Sequence, residues 1–151
     1  MTLTFDHITV PARNKVDAMT WIAGILGVQP GPVVEPFAVV ELGTAPLDYI
    51  TVAPEDLRSQ HIALRVDDEQ FDDILGKLVA AGIDYFAEPQ NPQDPGQGHV
   101  YYANGGRGFY FSDPDGHAME IKTTRDSFDP DVLAAAYTAP YPPPQPSTAR
   151  H

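Results

Sequence analysis

The sequence predicts an α+β domain in which one strand, helix, strands arrangement occurs twice, and three observations carry that prediction. Residues 5–10 and 60–66 alternate polar and apolar side chains around a histidine, at His7 and at His61. Each segment leads into a run with helical apolar spacing that stops at a glycine, Gly27 in one case and Gly82 in the other. The separations, His7 to Gly27 and His61 to Gly82, agree to within one position, and short strand-like segments follow in both halves.

In chain order, residues 15–26 read as the first helix, with Val16, Met19, Ile22, Ala23 and Leu26 directed inward. Strands are expected at 37–42 and 47–52. The second half restarts with the strand at 60–66 and a helix at 68–81, which turns Phe71, Ile74, Leu75 and Leu78 inward. Residues 88–98, EPQNPQDPGQG, are too rich in Pro, Gly and amides for regular structure and read as a loop or lid. Strands at 100–102, 108–112 and 118–123 complete the pattern. The domain is placed at 1–125, with modules at about 3–54 and 58–124. Beyond it, residues 126–151 hold a short helix at about 129–137, opened by Asp129-Pro130-Asp131, and a proline-rich tail at 140–146.

Composition narrows the function. A chain of 151 residues suits one compact domain, and no apolar run approaches the roughly 20 residues of a membrane helix. The formal charge of −12 repels a phosphate backbone and argues against nucleic acid as a partner. Residues 1–10 lack the basic start and apolar stretch of a secretory signal, which predicts a cytoplasmic protein. With no cysteine, disulfides and thiolate ligands are excluded, so a transition metal would be held by imidazole and carboxylate.

Alternation along the strands places such groups together. In the first strand Ile8 and Val10 share a side that meets the helix, leaving His7 and Thr9 on the other. Ile62, Leu64 and Val66 likewise leave His61 on the helix-free face, and Met119 and Ile121 leave Glu120 there. A curved sheet with helices on its convex side would gather the three into a concave cleft. Two imidazoles and a carboxylate there call for a compensating divalent cation. Such a set leaves coordination positions open, which favours Fe(II) or Mn(II) and admits Zn(II). His117, on the turn Asp113-Pro114-Asp115-Gly116, is not expected to be a ligand.

The segments D-H-I-T-V at 6–10, Q-H-I-A-L at 60–64 and G-F-Y-F-S-D-P-D-G-H-A-M-E-I at 108–121 resemble strands of the vicinal oxygen chelate superfamily. That superfamily includes glyoxalase I, extradiol dioxygenases, fosfomycin-modifying enzymes and bleomycin-binding proteins. The resemblance covers residues 3–124 and implies paired βαβββ modules of the glyoxalase-like fold. It also implies one divalent metal on His7, His61 and Glu120. Related two-module chains form dimers that exchange modules, so a homodimer is expected, with His7 completing the site of its own chain or of its partner.

The pattern F-Y-x-x-D-P-x-G-x-x-x-E at 109–120 is similar to the extradiol signature, which makes Tyr110 a substrate-contacting, catalytic candidate. The reaction this implies is extradiol-type oxygenation of a small oxygen-rich molecule. Where that pattern carries a histidine nine positions before the tyrosine, this chain has Tyr101; the nearest histidine, His99, is the candidate proton carrier. Arg107, in a glycine-flanked run, is a candidate clamp for a substrate carboxylate, and Thr9 a candidate substrate contact. A glyoxalase-like lyase or isomerase would add a carboxylate near Tyr49, but Asp48 is expected to face away. A thiol transferase would carry lysine where this chain has Val100. A metal-free binding protein of the bleomycin-resistance type is the alternative of a different class.

Overall fold

The computed structural model describes residues 1–89 and 97–125. Most of the expected lid at 88–98, and all of the expected helix at 129–137 and the tail at 140–146, lie outside the described residues. In chain order the elements are β1 (Ile8–Ala12), α1 (Lys15–Leu26), β2 (Val33–Val34), β3 (Phe37–Val40), β4 (Leu47–Thr51), β5 (His61–Arg65), α2 (Asp68–Ala80), β6 (Tyr101–Ala103), β7 (Gly106–Ser112) and β8 (Ala118–Lys122). A single 3-10 turn, Pro54–Asp56, stands between β4 and β5.

The strands form two four-stranded mixed sheets, ordered β1-β4-β3-β2 and β5-β8-β7-β6. In each, the first strand runs parallel to the last and the other pairings are antiparallel. The two modules therefore share one βαβββ topology, the α+β architecture expected from the repeat. The two-residue β2, absent from the sequence reading, completes the first copy.

The described residues divide into two compact units, residues 1–60 with the turn 113–117, and residues 61–89, 97–112 and 118–125. In the first, α1 is capped by Asn14, whose side chain accepts from the backbone of Val16 and Asp17, and ends at Gly27 in the left-handed conformation (φ 72°). Its buried face is Ala18, Met19, Ile22, Ala23 and Ile25, over Val10, Ala12, Ala38, Val40, Leu47 and Tyr49 of the sheet. Val16, expected inside, is 41% exposed. At 100° per residue, a stripe centred on Ile22 carries Val16 round to solvent.

The turn 113–117 is held within the same unit by His117, which is fully buried. Its Nδ1 accepts from the Gln60 amide at 2.9 Å and its Nε2 donates to the Pro11 carbonyl at 2.6 Å, so the ring is neutral and both nitrogens are engaged. Asp113 Oδ1 accepts from the amides of Asp115 and His117.

In the second unit Asp67 and Gln70 form a reciprocal capping box at the start of α2. Phe71, Ile74 and Leu78 are buried, with the Phe71 ring edge-on to Phe109 at 5.0 Å. Phe109, Phe111, Met119 and Ile121 are fully buried beneath the helix. Their alternation sends Tyr110 and Glu120 to the opposite face of the sheet. No helix among the described residues is long and apolar enough to cross a membrane.

Candidate metal centre

Glu120 stands on β8 beside Ala63 of β5 and Tyr110 of β7, its cross-strand neighbours in register. It is 5% exposed, so its carboxylate has lost most of its water and requires partners from the protein or from a bound cation. Oε2 lies 3.2 Å from Nε2 of His61, at the start of β5. The other ring nitrogen of His61 meets the Ala118 carbonyl at 3.2 Å, and a carbonyl can only accept, so Nδ1 carries a proton. That leaves Nε2 directed at a carboxylate oxygen. A second proton, making an imidazolium, or a cation must reconcile the two groups. An imidazole whose far nitrogen donates to a carbonyl while the near one faces a buried carboxylate fits a divalent metal.

The rest of the surroundings are aromatic and cationic. The Tyr101 hydroxyl donates to Glu120 Oε1 at 2.6 Å, and Nζ of Lys122, a residue only 9% exposed, lies 3.8 Å from the same oxygen. The Tyr110 ring sits 6.0 Å from that of His61 and 5.7 Å from that of Tyr101. Sequence reasoning singled out Tyr110 and passed over Tyr101 and Lys122. The signal for both was available in strand register, since Tyr101 pairs with Gly108 and Gly108 with Lys122.

In the first unit His7 immediately precedes β1 and is exposed. Its Nδ1 meets the Asp6 carboxylate, which holds its pKa above the ordinary imidazole value, with the charge of Asp48 adding to the effect. As at His61, Nδ1 is engaged by an acceptor and Nε2 is the nitrogen left to present. Thr9, also exposed, pairs in register with Asp48 of the parallel β4. Residues paired in this way share a face, so Asp48 lies on the side of Thr9 and opposite buried Tyr49, correcting the expectation that it faces away.

Among the described residues no three His, Asp or Glu side chains gather into a cluster that could hold an ion. His61 and Glu120 stand as a pair in the second unit, and His7 stands in the first. His99 precedes β6 and is half-buried; its Nδ1 is buried without a hydrogen-bond partner among the described residues.

Arg107 departs from its expected role. Its guanidinium lies on the α2 side of the sheet, paired with Asp68 at 3.0 Å and Asp72 at 2.9 Å and stacked 4.2 Å from the centre of the Phe71 ring. Burial works against its charge, and the hydrogen bonds it donates to Asp72 and Asp68 outweigh that, so its pKa is raised. The glycines around it admit close packing: a side chain at Gly106 would strike Thr123 and Thr124. Arg107 thus shares the face of β7 that carries Phe109 and Phe111, opposite Tyr110.

No protein-family model matches the chain, and no curated protein matches it. Among solved structures, oxidase ChaP-H2 is 36% identical, covers 83% of this chain and 96% of its own, and superposes with a TM-score of 0.75. Oxidase ChaP-H1 is 35% identical over 82% of this chain and 98% of its own, with a TM-score of 0.73. A glyoxalase / bleomycin resistance protein from Catenulispora Acidiphila DSM 44928 shares the fold at 24% identity and a TM-score of 0.58, over 82% of this chain and 100% of its own. With repeated βαβββ modules, a histidine opening each and relatives of this identity over nearly their whole length, the chain belongs to the vicinal oxygen chelate superfamily.

Proposed function

We propose that this protein is a metal-dependent oxygenase of the extradiol type, acting on a small oxygen-rich substrate. The observation that carries the metal is the His61 and Glu120 pair, whose facing Nε2 and Oε2 atoms stand 3.2 Å apart with the imidazole proton committed to Ala118. His61 and Glu120 would hold the ion together with His7, contributed by the same chain or by the partner in a homodimer. Fe(II) or Mn(II) is favoured and Zn(II) admitted. Bound there, such an ion supplies Lewis-acid and, for iron or manganese, redox chemistry toward a substrate with adjacent oxygens.

The chain's own residues supply the rest. Tyr110, beside the His61 ring, presents an aromatic face and a phenol to a bound substrate. Lys122 offsets part of the charge of the Glu120 carboxylate. Thr9 is the substrate contact proposed from the first module, and His99 the proton carrier. In the net reaction a ring carbon–carbon bond beside a diol breaks and both atoms of dioxygen enter the product, so no further oxidant is consumed. The two related oxidases, at 36% and 35% identity, support chemistry of this class.

A second reading has one observation in its favour. Asp48 faces the side of Thr9 and acts on His7, so a further carboxylate stands with His7 in the first module, which would suit a glyoxalase-like lyase or isomerase. The two readings separate on dioxygen. Protein purified without chelator is expected to carry a divalent metal that His61→Ala loses. Anaerobically Fe(II)-loaded protein is then expected to take up oxygen with at least one member of a catechol panel. Equal, near-zero metal in both proteins defeats the metal site, whereas metal without oxygen uptake moves the assignment to the lyase or isomerase class.

A further inference from the structure

The two oxygens of Glu120 are treated differently by the fold. Oε2 faces His61, while Oε1 receives the Tyr101 hydroxyl at 2.6 Å and lies 3.8 Å from the Lys122 ammonium. From this division we infer that Tyr101 is a positioning residue, which fixes the rotation of the Glu120 carboxylate so that one oxygen is turned toward the metal position and the other withheld from it. The inference rests on the metal reading above and deepens it.

Three features make the phenol suited to that task. Its 2.6 Å hydrogen bond to a carboxylate is of the short, charge-assisted kind, stronger than a neutral one, and so opposes rotation of the carboxyl group. Its ring is held in place by the Tyr110 ring at 5.7 Å and by the surface left bare at Gly108, its partner across β6 and β7. A Cβ at Gly108 would come within 2.2 Å of the Tyr101 ring and hydroxyl, so the position must lack a side chain for the phenol to reach Glu120. Gly108 has no left-handed backbone angle to explain it, and room for Tyr101 accounts for it.

Partners of this kind, behind a metal ligand, change affinity by about 10–100-fold when removed. Two substitutions reach the same hydrogen bond by different routes. Tyr101→Phe deletes the hydroxyl and keeps the ring; Gly108→Ala keeps the hydroxyl and displaces the ring. Tyr102→Phe, on the neighbouring exposed tyrosine, is the control.

The test is titration of the full-length protein with Mn(II) alone, followed by the electron paramagnetic resonance signal of free ion, with thermal melts to confirm folding. Wild type and Tyr102→Phe are expected to bind alike, and Tyr101→Phe and Gly108→Ala to bind about tenfold or more weakly with little change in melting temperature. If wild type binds Mn(II) and Tyr101→Phe binds it equally well, the positioning role is overturned while the metal reading stands. If wild type binds none, the metal reading fails and takes this role with it.

Discussion

The two modules have the same backbone plan and nearly opposite surroundings at one equivalent position. Thr9 pairs with Asp48 in the first as Ala63 pairs with Glu120 in the second, so Asp48 is the repeat counterpart of Glu120. Following the register outward, Tyr101, Gly108, Tyr110 and Lys122 of the second module correspond to Val34, Phe37, Val39 and Ile50 of the first. A phenol, a gap, a second phenol and an ammonium face one carboxylate; aliphatic and aromatic hydrocarbon faces the other. Glu120 is accordingly buried and hydrogen-bonded, while Asp48 is only half-buried. Duplication accounts for where a histidine and a carboxylate stand, and divergence of the neighbours accounts for which carboxylate can be held still.

The sharpest way to break that comparison is to remove each charge without changing shape. Glu120→Gln is expected to weaken Mn(II) binding by more than about 100-fold, beyond what loss of an outer partner produces, and Asp48→Asn by less than about tenfold. The same free-ion titration reads both. Equal losses would mean that the two carboxylates serve one ion alike, which strengthens the lyase or isomerase reading at the expense of the oxygenase.

Packing under the helices differs in a complementary way. The buried pair Ala38 and Tyr49 of the first sheet corresponds to Phe109 and Ile121 of the second, so the large side chain has changed strands. Phe109 is fully buried against Phe71, Tyr85 and Phe111. Phe109→Ala is expected to cost about 3–5 kcal/mol, from lost transfer energy and the cavity left behind. Adding Ile121→Phe, which copies the large-residue position of the first module, should recover part of that loss in urea unfolding. No recovery would show that the two cores, though alike in topology, are not alike in shape.

Much of this was legible beforehand because it depends on period and punctuation. Helix α1 falls where apolar spacing and Gly27 place it, and alternation put His61 and Glu120 on one face and Phe109 and Phe111 on the other. What escaped was information carried between strands. Asp48 was misfaced because Tyr49, beside it, was read without the register that ties Thr9 to Asp48. Arg107 read as a clamp for a substrate carboxylate, and only the docking of α2 supplies Asp68 and Asp72 as its partners. Tyr101 had the same difficulty, since its importance lies in a carboxylate 19 positions away and in a glycine on the next strand. Local pattern shows which way a side chain points, whereas pairing decides what it meets.

The smallest effect is expected at Tyr49, and it tests whether the first module retains any polar device of its own beneath the helix. The phenol is 1% exposed, and its hydroxyl has no hydrogen-bond partner among the described residues. Burial, reinforced by the charges of Asp113 and Asp115, pushes its pKa far upward, so it stays protonated at neutral pH. A buried hydroxyl without a partner forfeits its hydration and gains nothing in exchange. Tyr49→Phe keeps the ring and removes that penalty, so stability should be unchanged or rise by about 1 kcal/mol, read as a shift of the urea midpoint at constant slope. Its counterpart Ile121 shows that the second module fills the equivalent position with hydrocarbon alone. A loss of more than about 1 kcal/mol in Tyr49→Phe would instead reveal a hydrogen bond made by that hydroxyl, and a polar contact in the first core with no equivalent in the second.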